Sequence, residues 1–182
     1  MPRQHSDSQE FSRFVEADSV GTHRMERRIS ANPEERAALA KRFALIGIDR
    51  LEAVFTLKRA GGGVIHVQGE IQAEVTQACV VTLAPVPAKI AETFSADFAD
   101  ADDRRRPTAE ADLDFEAGDP PEPIRNGHID LGELAAEHLS LALNPYPRAP
   151  GAEIPVEFSP DPDAEEETAR PVNPFSILKK SN

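Results

Sequence analysis

Cys79 is the first residue whose chemistry needs an account, because a cysteine near a strand end becomes a nucleophile when a neighbouring group lowers its pKa. It is the single cysteine among 182 residues. The adjacent Val80 and Val81 supply apolar bulk, which favours a buried, inert thiol over a nucleophile. Zinc requires several soft ligands, and Cys79 has no cysteine partner in the sequence, so a zinc site is not expected either.

A second set of reactive residues lies on one predicted helix, where Glu133, Glu137 and His138 are of the types that bind di-iron centres. Glu137 and His138 are adjacent and therefore point about 100° apart on a helix. We expect a solvated acidic face beside a partly buried histidine. Asp119 and Glu122 could form a general acid/base pair, but a proline-rich loop does not hold carboxylates in a fixed geometry. The sequence thus predicts no catalytic, metal-binding or cofactor-binding residue, and a protein that is not an enzyme.

The charge distribution restricts the partners that the surface can bind. The formal net charge is -12 and the sequence pI is near 4.8, which argues against DNA binding and against nucleic-acid binding by the surface as a whole. Basic residues are concentrated in one N-terminal stretch: Arg24, Arg27, Arg28, Arg36, Lys41 and Arg42. We take Arg24, Arg27, Arg28, Lys41 and Arg42 as candidate interaction residues. The alternative is a solvated helix face balanced by Glu26, Glu34 and Glu35.

The sequence predicts a cytoplasmic protein that does not bind a membrane. No apolar run approaches the roughly 18 residues that a spanning helix needs, and the N-terminus lacks the apolar region of a secretory signal. A lone cysteine cannot form an intramolecular disulfide, which agrees with a reducing compartment.

Local signals predict the elements of the first half of the chain. Phe11, Phe14 and Val15 indicate a short strand between residues 10 and 17. A helix is predicted from Pro33 to residue 43 or 44, because Asn32 can cap it and Glu35 can complete a capping box. We expect Gly47 to close this helix. Its apolar side comprises Ala37, Leu39, Ala40 and Phe43.

The central part of the chain has the two-residue period of β-strands. Two strands are predicted between residues 48 and 82, separated by a turn at Gly61–Gly63, and Gly69 is predicted to form a bulge. A third long strand from Ile90 to Phe98 should pair antiparallel with its neighbour. Residues 77–86 are interpreted as a buried strand that ends at a proline.

A second helix is predicted after a charged insertion at about residues 100–126, which we expect to be a mobile acidic loop with a brief extended piece near residues 113–115. Asn126-Gly127 has the composition of a tight turn. Asp130 can cap a helix from Leu131 to about Leu143, with Glu133 at the capping-box position, and Asn144-Pro145 should end it. The predicted apolar side comprises Leu131, Leu134, Ala135, His138, Leu139, Ala142 and Leu143.

Together these elements predict an α+β fold: a single domain with an antiparallel β-sheet packed with two main helices, plus a disordered acidic loop and tail. We expect a flexible N-terminus over residues 1–9, the domain over residues 10–150, and an acidic, largely disordered tail over residues 151–182. The tail ends in a short NPF-type segment whose apolar residues are further interaction candidates: Phe175, Ile177 and Leu178. These residues could dock on a partner or fold back onto the domain.

Several segments, in their order, resemble the YceD-like family of large ribosomal RNA subunit accumulation proteins in its alphaproteobacterial form. The segments are Val67–Ala73, Thr76–Val86, Pro121–Ile124, Ile129–Leu134 and Asn173–Phe175. The commoner family pattern reads Cys-x-Arg-Cys-Leu-x-Pro. In this chain Cys79, Leu83 and Pro85 fit that pattern, whereas Val81 stands at the arginine position and Thr82 at the second cysteine.

The resemblance implies a non-catalytic ribosome biogenesis factor that supports accumulation of large-subunit (23S) ribosomal RNA by binding a component of the large-subunit precursor. An acidic protein is steered towards basic partners, so a ribosomal protein is expected as the direct partner rather than naked rRNA. The alternative is an acidic interaction module, or a chaperone-like holder of basic client proteins, unrelated to ribosomes.

Overall fold

The computed structural model describes residues 10–100 and 120–153, and these form a mixed β-sheet covered by two helices. Five strands lie in the order β2-β3-β4-β5-β6, and β1 pairs with β7 as a separate two-stranded sheet. The elements are β1 (Phe14–Glu16), β2 (Met25–Ser30), α1 (Pro33–Arg42), β3 (Gly47–Arg59), β4 (Ile65–Ala78), β5 (Pro85–Asp100), β6 (Glu122–Ile124), β7 (His128–Asp130) and α2 (Leu131–Ala142). All of them lie in the compact unit that ends at Ala149. The α+β prediction is confirmed.

The predicted alternation in β3 and β4 is confirmed and builds the core. Alternate residues of these strands are buried: Leu51, Ala53, Phe55, Leu57, Ile65, Val67, Ile71, Ala73 and Val75. The intervening positions of β4 are mostly exposed and polar. Helix α1 packs against β3, and α2 packs against β4 and β5. One face of the sheet therefore carries the helices, and the period of two follows from that single covered face.

Gly69 does not form the predicted bulge. It pairs in regular register with Phe55 on one side and Phe94 on the other. A Cβ at Gly69 would lie 2.8 Å from Cε2 of Phe94 and closer still to two other atoms of the ring. The Phe94 ring thus occupies the space that a side chain at position 69 would need. The irregularity in pairing lies between Ile48 and Arg50 of β3.

Helix α1 begins as predicted and ends differently. The Asn32 side chain accepts a hydrogen bond from the Glu35 N–H, and the Glu35 carboxylate accepts one from the Asn32 N–H, which completes the capping box. Gly47 begins β3 and does not close the helix. Ala44 ends it with a φ of 54°, and the Leu45 N–H donates to the Ala40 carbonyl at 2.8 Å. This pairing is typical of a Schellman termination, which here places alanine in the left-handed conformation.

The basic stretch contains a strand that sequence patterns did not predict. Met25–Ser30 forms β2 at the edge of the sheet, antiparallel to β3. Arg27 and Arg28 therefore lie on a strand, and the interpretation of the whole stretch as one helix face is wrong. Charged side chains on an edge strand discourage pairing with other chains.

Residues 120–126 of the predicted mobile insertion belong to the folded domain. Residues 101–119, which include the expected extended piece, lie outside the described residues. Glu122–Ile124 forms β6, which pairs parallel with β5 and makes the sheet mixed. Asn126 and Gly127 both have positive φ, 54° and 74°, as the predicted tight turn requires.

Helix α2 is fixed at its first turn by a close backbone approach. Oδ1 of Asp130 accepts hydrogen bonds from the N–H groups of Gly132 and Glu133, which confirms the predicted cap. The Glu133 carboxylate does not complete a capping box, because it pairs with Arg42. A Cβ at Gly132 would lie 2.9 Å from the carbonyl carbon of Phe11 and closer to its oxygen.

We predict that Gly132→Ala destabilises the domain. Helix propensity alone would make alanine stabilising by up to about 1 kcal/mol, whereas the clash with the Phe11 backbone should cost about 1–3 kcal/mol. Urea unfolding would measure the difference. Gly21→Ala is the control, since Gly21 has nothing within 4 Å of the new methyl group. A Gly132→Ala protein as stable as the unmodified chain would contradict the packing described.

Candidate functional site

Cys79 lies in a turn and is enclosed by backbone N–H groups. Strand β4 ends at Ala78, so residues 77–86 are not one buried strand. The Cys79 Sγ accepts hydrogen bonds from the N–H groups of Val81 at 3.4 Å, Thr82 at 3.4 Å and Ala149 at 3.3 Å. The side chain is fully buried, so the sulfur joins the turn after β4 to the segment that follows α2.

The sequence predicts that apolar neighbours keep Cys79 inert, but backbone N–H groups surround its sulfur instead. Val80 is 48% exposed and is therefore a poor apolar cover. The Ala149 N–H and then Thr82 lower the pKa of the Cys79 thiol to about 6, against the opposing effect of burial. The thiolate is stabilised but shielded, and the geometry assigns the sulfur a positioning role in the turn.

The same turn presents apolar side chains to solvent. Leu83 is 76% exposed and has a φ of 60°, and its N–H donates to the Cys79 carbonyl. A leucine in the left-handed conformation stores strain that the surrounding contacts must offset. The N–H of Val80 donates to the Pro147 carbonyl at 2.9 Å, which places the turn beside the exposed Tyr146.

A cavity of about 470 Å³ lies between β1, β6, β7 and the first half of α2. Phe98, Ile129 and Leu134 give it apolar lining. Its remaining lining residues are Phe14, Glu122, Pro123, Arg125, Asn126, His128, Asp130, Glu133 and Glu137. Four of the lining residues are thus carboxylates and one is an arginine. The cavity combines an apolar interior with an acidic edge.

The carboxylates of this cavity repel one another. Burial first, and then the charges of Glu133 and Glu122, raise the pKa of Glu137, whereas Arg42 and Arg125 act in the opposite direction. Glu133 is neutralised in part by Arg42, whose guanidinium makes two hydrogen bonds to it at 2.9 and 2.6 Å. A positive charge placed beside Glu137 would reduce this repulsion.

His138 is partly buried, as predicted. Its ring stacks on Phe94 with centroids 3.5 Å apart and planes inclined by 11°. Burial lowers the pKa of His138, and the nearby Glu122 and Glu92 only partly oppose this. The histidine therefore packs α2 onto β5. Within the described residues, no three His, Cys, Asp or Glu side chains are grouped so that they could hold a metal ion.

The acidic charges on the open face of the sheet are mostly paired, unlike those of the cavity. Ion pairs on that face join Arg28 to Glu26, Arg50 to Glu52 and Lys89 to Glu74, and a hydrogen bond joins His66 to Asp97. All are exposed and contribute little stability individually. Their effect is a face whose charges are balanced locally, whereas the cavity is lined by four carboxylates and one arginine.

The candidate interaction residues are dispersed by the fold. Arg24, Arg27 and Arg28 lie on or beside β2, and Lys41 and Arg42 end α1. Arg42 forms an ion pair with Glu133 and a second one, at 3.3 Å, with Glu10. Phe175, Ile177 and Leu178 lie outside the described residues. The sequence does not indicate Phe14 and His128 as site residues, because their proximity depends on the pairing of β1 with β7.

Comparison with known protein families identifies the chain. The family described as large ribosomal RNA subunit accumulation protein YceD matches residues 67–180. The chain belongs to this family. The match confirms the resemblance and implies a role in accumulation of large-subunit ribosomal RNA. No curated protein and no solved structure matches the chain significantly. In the described parts of the chain, no helix has the length and apolarity to cross a membrane.

The YceD family match includes both features of the site described above. Cys79 and its turn lie within the matched residues, as do Glu122, His128 and Glu137 of the cavity. Phe14 lies before the matched range. The cavity is therefore built mainly from residues that align with the YceD family.

We predict that Cys79→Ala lowers stability in a pH-dependent way. The folded-state pKa is below its unfolded value, so the stabilisation from the thiolate is present above the unfolded pKa and is lost as pH falls through about 6. The difference in urea midpoint between the unmodified protein and Cys79→Ala should grow from pH 6 upwards. Cys79→Ser, which keeps an acceptor for the N–H groups, is the matched variant. A difference independent of pH would contradict a stabilised thiolate.

We predict that Glu137→Gln stabilises the protein at neutral pH, which is the opposite of the effect expected for Cys79→Ala. Because the folded-state pKa of Glu137 is raised, its charge disfavours the folded state at neutral pH, and this cost disappears as pH falls through that pKa. After allowance for solvent exposure, the substitution should stabilise the protein by no more than about 0.5 kcal/mol at pH 7 and by nothing at acidic pH. Thermal unfolding at both pH values would measure this. A loss of stability at pH 7 would contradict the described repulsion.

Proposed function

We propose that this protein acts without catalysis, by binding a protein component of the large-subunit ribosomal precursor, and so allows 23S rRNA to accumulate. The observation that carries the proposal is the YceD family match over residues 67–180. The family description names accumulation of large-subunit rRNA as the process, and the acidic charge of the chain supports a basic protein as the partner. Assembly in the cytoplasm is part of this proposal.

The net charge of -12 supports a ribosomal protein rather than naked rRNA as the direct partner. A surface with this charge repels phosphates and attracts basic proteins over a distance of about a Debye length. The exposed Arg24 and Lys41 could contact RNA secondarily. Arg28 and Arg42 are less available for phosphates because each has a carboxylate partner within the domain.

The environment of Cys79 supports a role other than nucleophilic catalysis. A thiolate nucleophile needs access to substrate as well as a low pKa, and Cys79 is fully buried. Its hydrogen bonds come from backbone N–H groups and from the Thr82 side chain, and none of these groups is a general base. A Cys79→Ser protein that retains function in cells would support this assignment.

Removal of the gene tests the proposed function directly. We expect a fall in mature large-subunit rRNA relative to small-subunit rRNA, with precursor particles accumulating in sucrose gradients. Expression of the unmodified protein from a plasmid should restore both quantities. Unchanged rRNA ratios and an unchanged gradient profile after removal would contradict the proposal.

Capture from cells distinguishes the proposal from an acidic holder of assorted basic clients. The proposal predicts recovery of large-subunit precursor components above other basic proteins of similar abundance. Recovery of basic proteins in proportion to their charge and abundance, without enrichment of large-subunit components, would support the holder and contradict the ribosomal role.

A further inference from the structure

The cavity between β1, β6, β7 and α2 has the lining that an arginine side chain requires. It offers an apolar interior for the methylene groups, an exposed aromatic ring at its wall and carboxylates at its edge. Arginine is the side chain that combines all three contacts, since its planar guanidinium stacks on aromatic rings and pairs with two carboxylate oxygens. The cavity volume of about 470 Å³ exceeds what a single ion would need.

Two carboxylates are available to such a guest. Glu133 is occupied by Arg42, whereas the described contacts give neither Glu122 nor Glu137 a hydrogen-bonded partner for its side chain. Oδ2 of Asp130 is also buried without a hydrogen-bond partner among the described residues. A buried acceptor in this condition carries a desolvation cost that an entering donor would relieve. The acceptors therefore favour a guest that donates several N–H groups.

Phe14 supplies the aromatic contact. Its side chain is 65% exposed, although it lies on a strand whose neighbour Val15 is buried. The His128 ring meets Phe14 edge-on, with centroids 6.0 Å apart, which fixes the wall of the cavity and leaves ring surface open. A guanidinium over an exposed ring is stabilised by the cation–π interaction.

We propose that this cavity is the docking site for an arginine-bearing segment of a basic protein, with Glu122 and Glu137 as the anionic contacts and Phe14 as the stacking surface. This inference rests on the proposed function for the identity of the partner, but not for the existence of the site. Charge complementarity selects the occupant. A phosphate backbone would meet three or more carboxylates at the same place and is disfavoured.

Peptide binding to the full-length chain tests the site without assuming a ribosomal partner. The probe is a fluorescein-labelled synthetic peptide of alternating arginine and glycine, and its lysine counterpart has the same net charge. Fluorescence anisotropy would give the affinity of each at physiological salt. We expect the arginine peptide to bind more tightly than the lysine peptide, and the difference to shrink in Phe14→Ala.

Substitution of the two carboxylates locates the site. Glu122→Gln combined with Glu137→Gln should weaken binding of the arginine peptide by about tenfold, the loss expected from charge-assisted hydrogen bonds. Glu70→Gln combined with Glu74→Gln is the matched control, because both residues lie on the open face of the sheet and the pair removes the same two negative charges. This control should change the affinity less than twofold. Thermal unfolding would show that the variants are folded.

The outcomes separate the site from the proposed function. Unchanged affinity of the Glu122→Gln/Glu137→Gln protein, or an equal loss in the Glu70→Gln/Glu74→Gln control, would overturn the docking site. Binding of a single-stranded RNA oligonucleotide that depends on Glu122, Glu137 and Phe14 would also overturn it. If the peptide binds as expected while gene removal leaves rRNA unchanged, the site stands and the ribosomal role fails.

Discussion

The carboxylate of Asp130 is the contact on which the arrangement of the cavity depends. One oxygen of this side chain caps α2 and also accepts the backbone N–H of Arg13 at 2.7 Å. The Leu131 N–H returns a hydrogen bond to the Arg13 carbonyl. The start of the helix is thereby fixed against the segment that leads into β1, and Gly132 permits the approach. Strands β1 and β7 and helix α2, which all line the cavity, are joined by these hydrogen bonds. The cap therefore helps to position the acidic edge of the cavity.

The sequence predicts those parts of the fold that short-range signals determine. Asn32 and Asp130 mark the helix starts because capping is a local hydrogen bond, and the alternation of β3 and β4 follows from one buried face. Strand β2 was not predicted, since charged residues occupy both sides of an edge strand. The parallel pairing of β6 depends on a contact across the insertion, and the cavity joins Phe14 to Glu122 and Glu137 through pairings that no local pattern encodes.

Two predicted features had the correct residue and the wrong physical reason. Cys79 is buried, but backbone N–H groups enclose it and lower its pKa, where apolar neighbours would have raised it. Gly69 is special because the Phe94 ring occupies the place of its side chain, and not because the strand bends there. Residue type indicates that a position is constrained, whereas the kind of constraint depends on partners distant in the chain.

We propose that this YceD family member binds a basic component of the large-subunit precursor through its acidic, apolar-lined cavity. Site-specific photo-crosslinking in cells tests it most directly, with a photoreactive amino acid at Phe14 and a control placement at Thr93 on the open face of the sheet. The account predicts a covalent adduct between position 14 and a basic large-subunit protein, and a much weaker one from position 93. Adducts from position 14 to rRNA alone, or equal adducts from both positions, would contradict it.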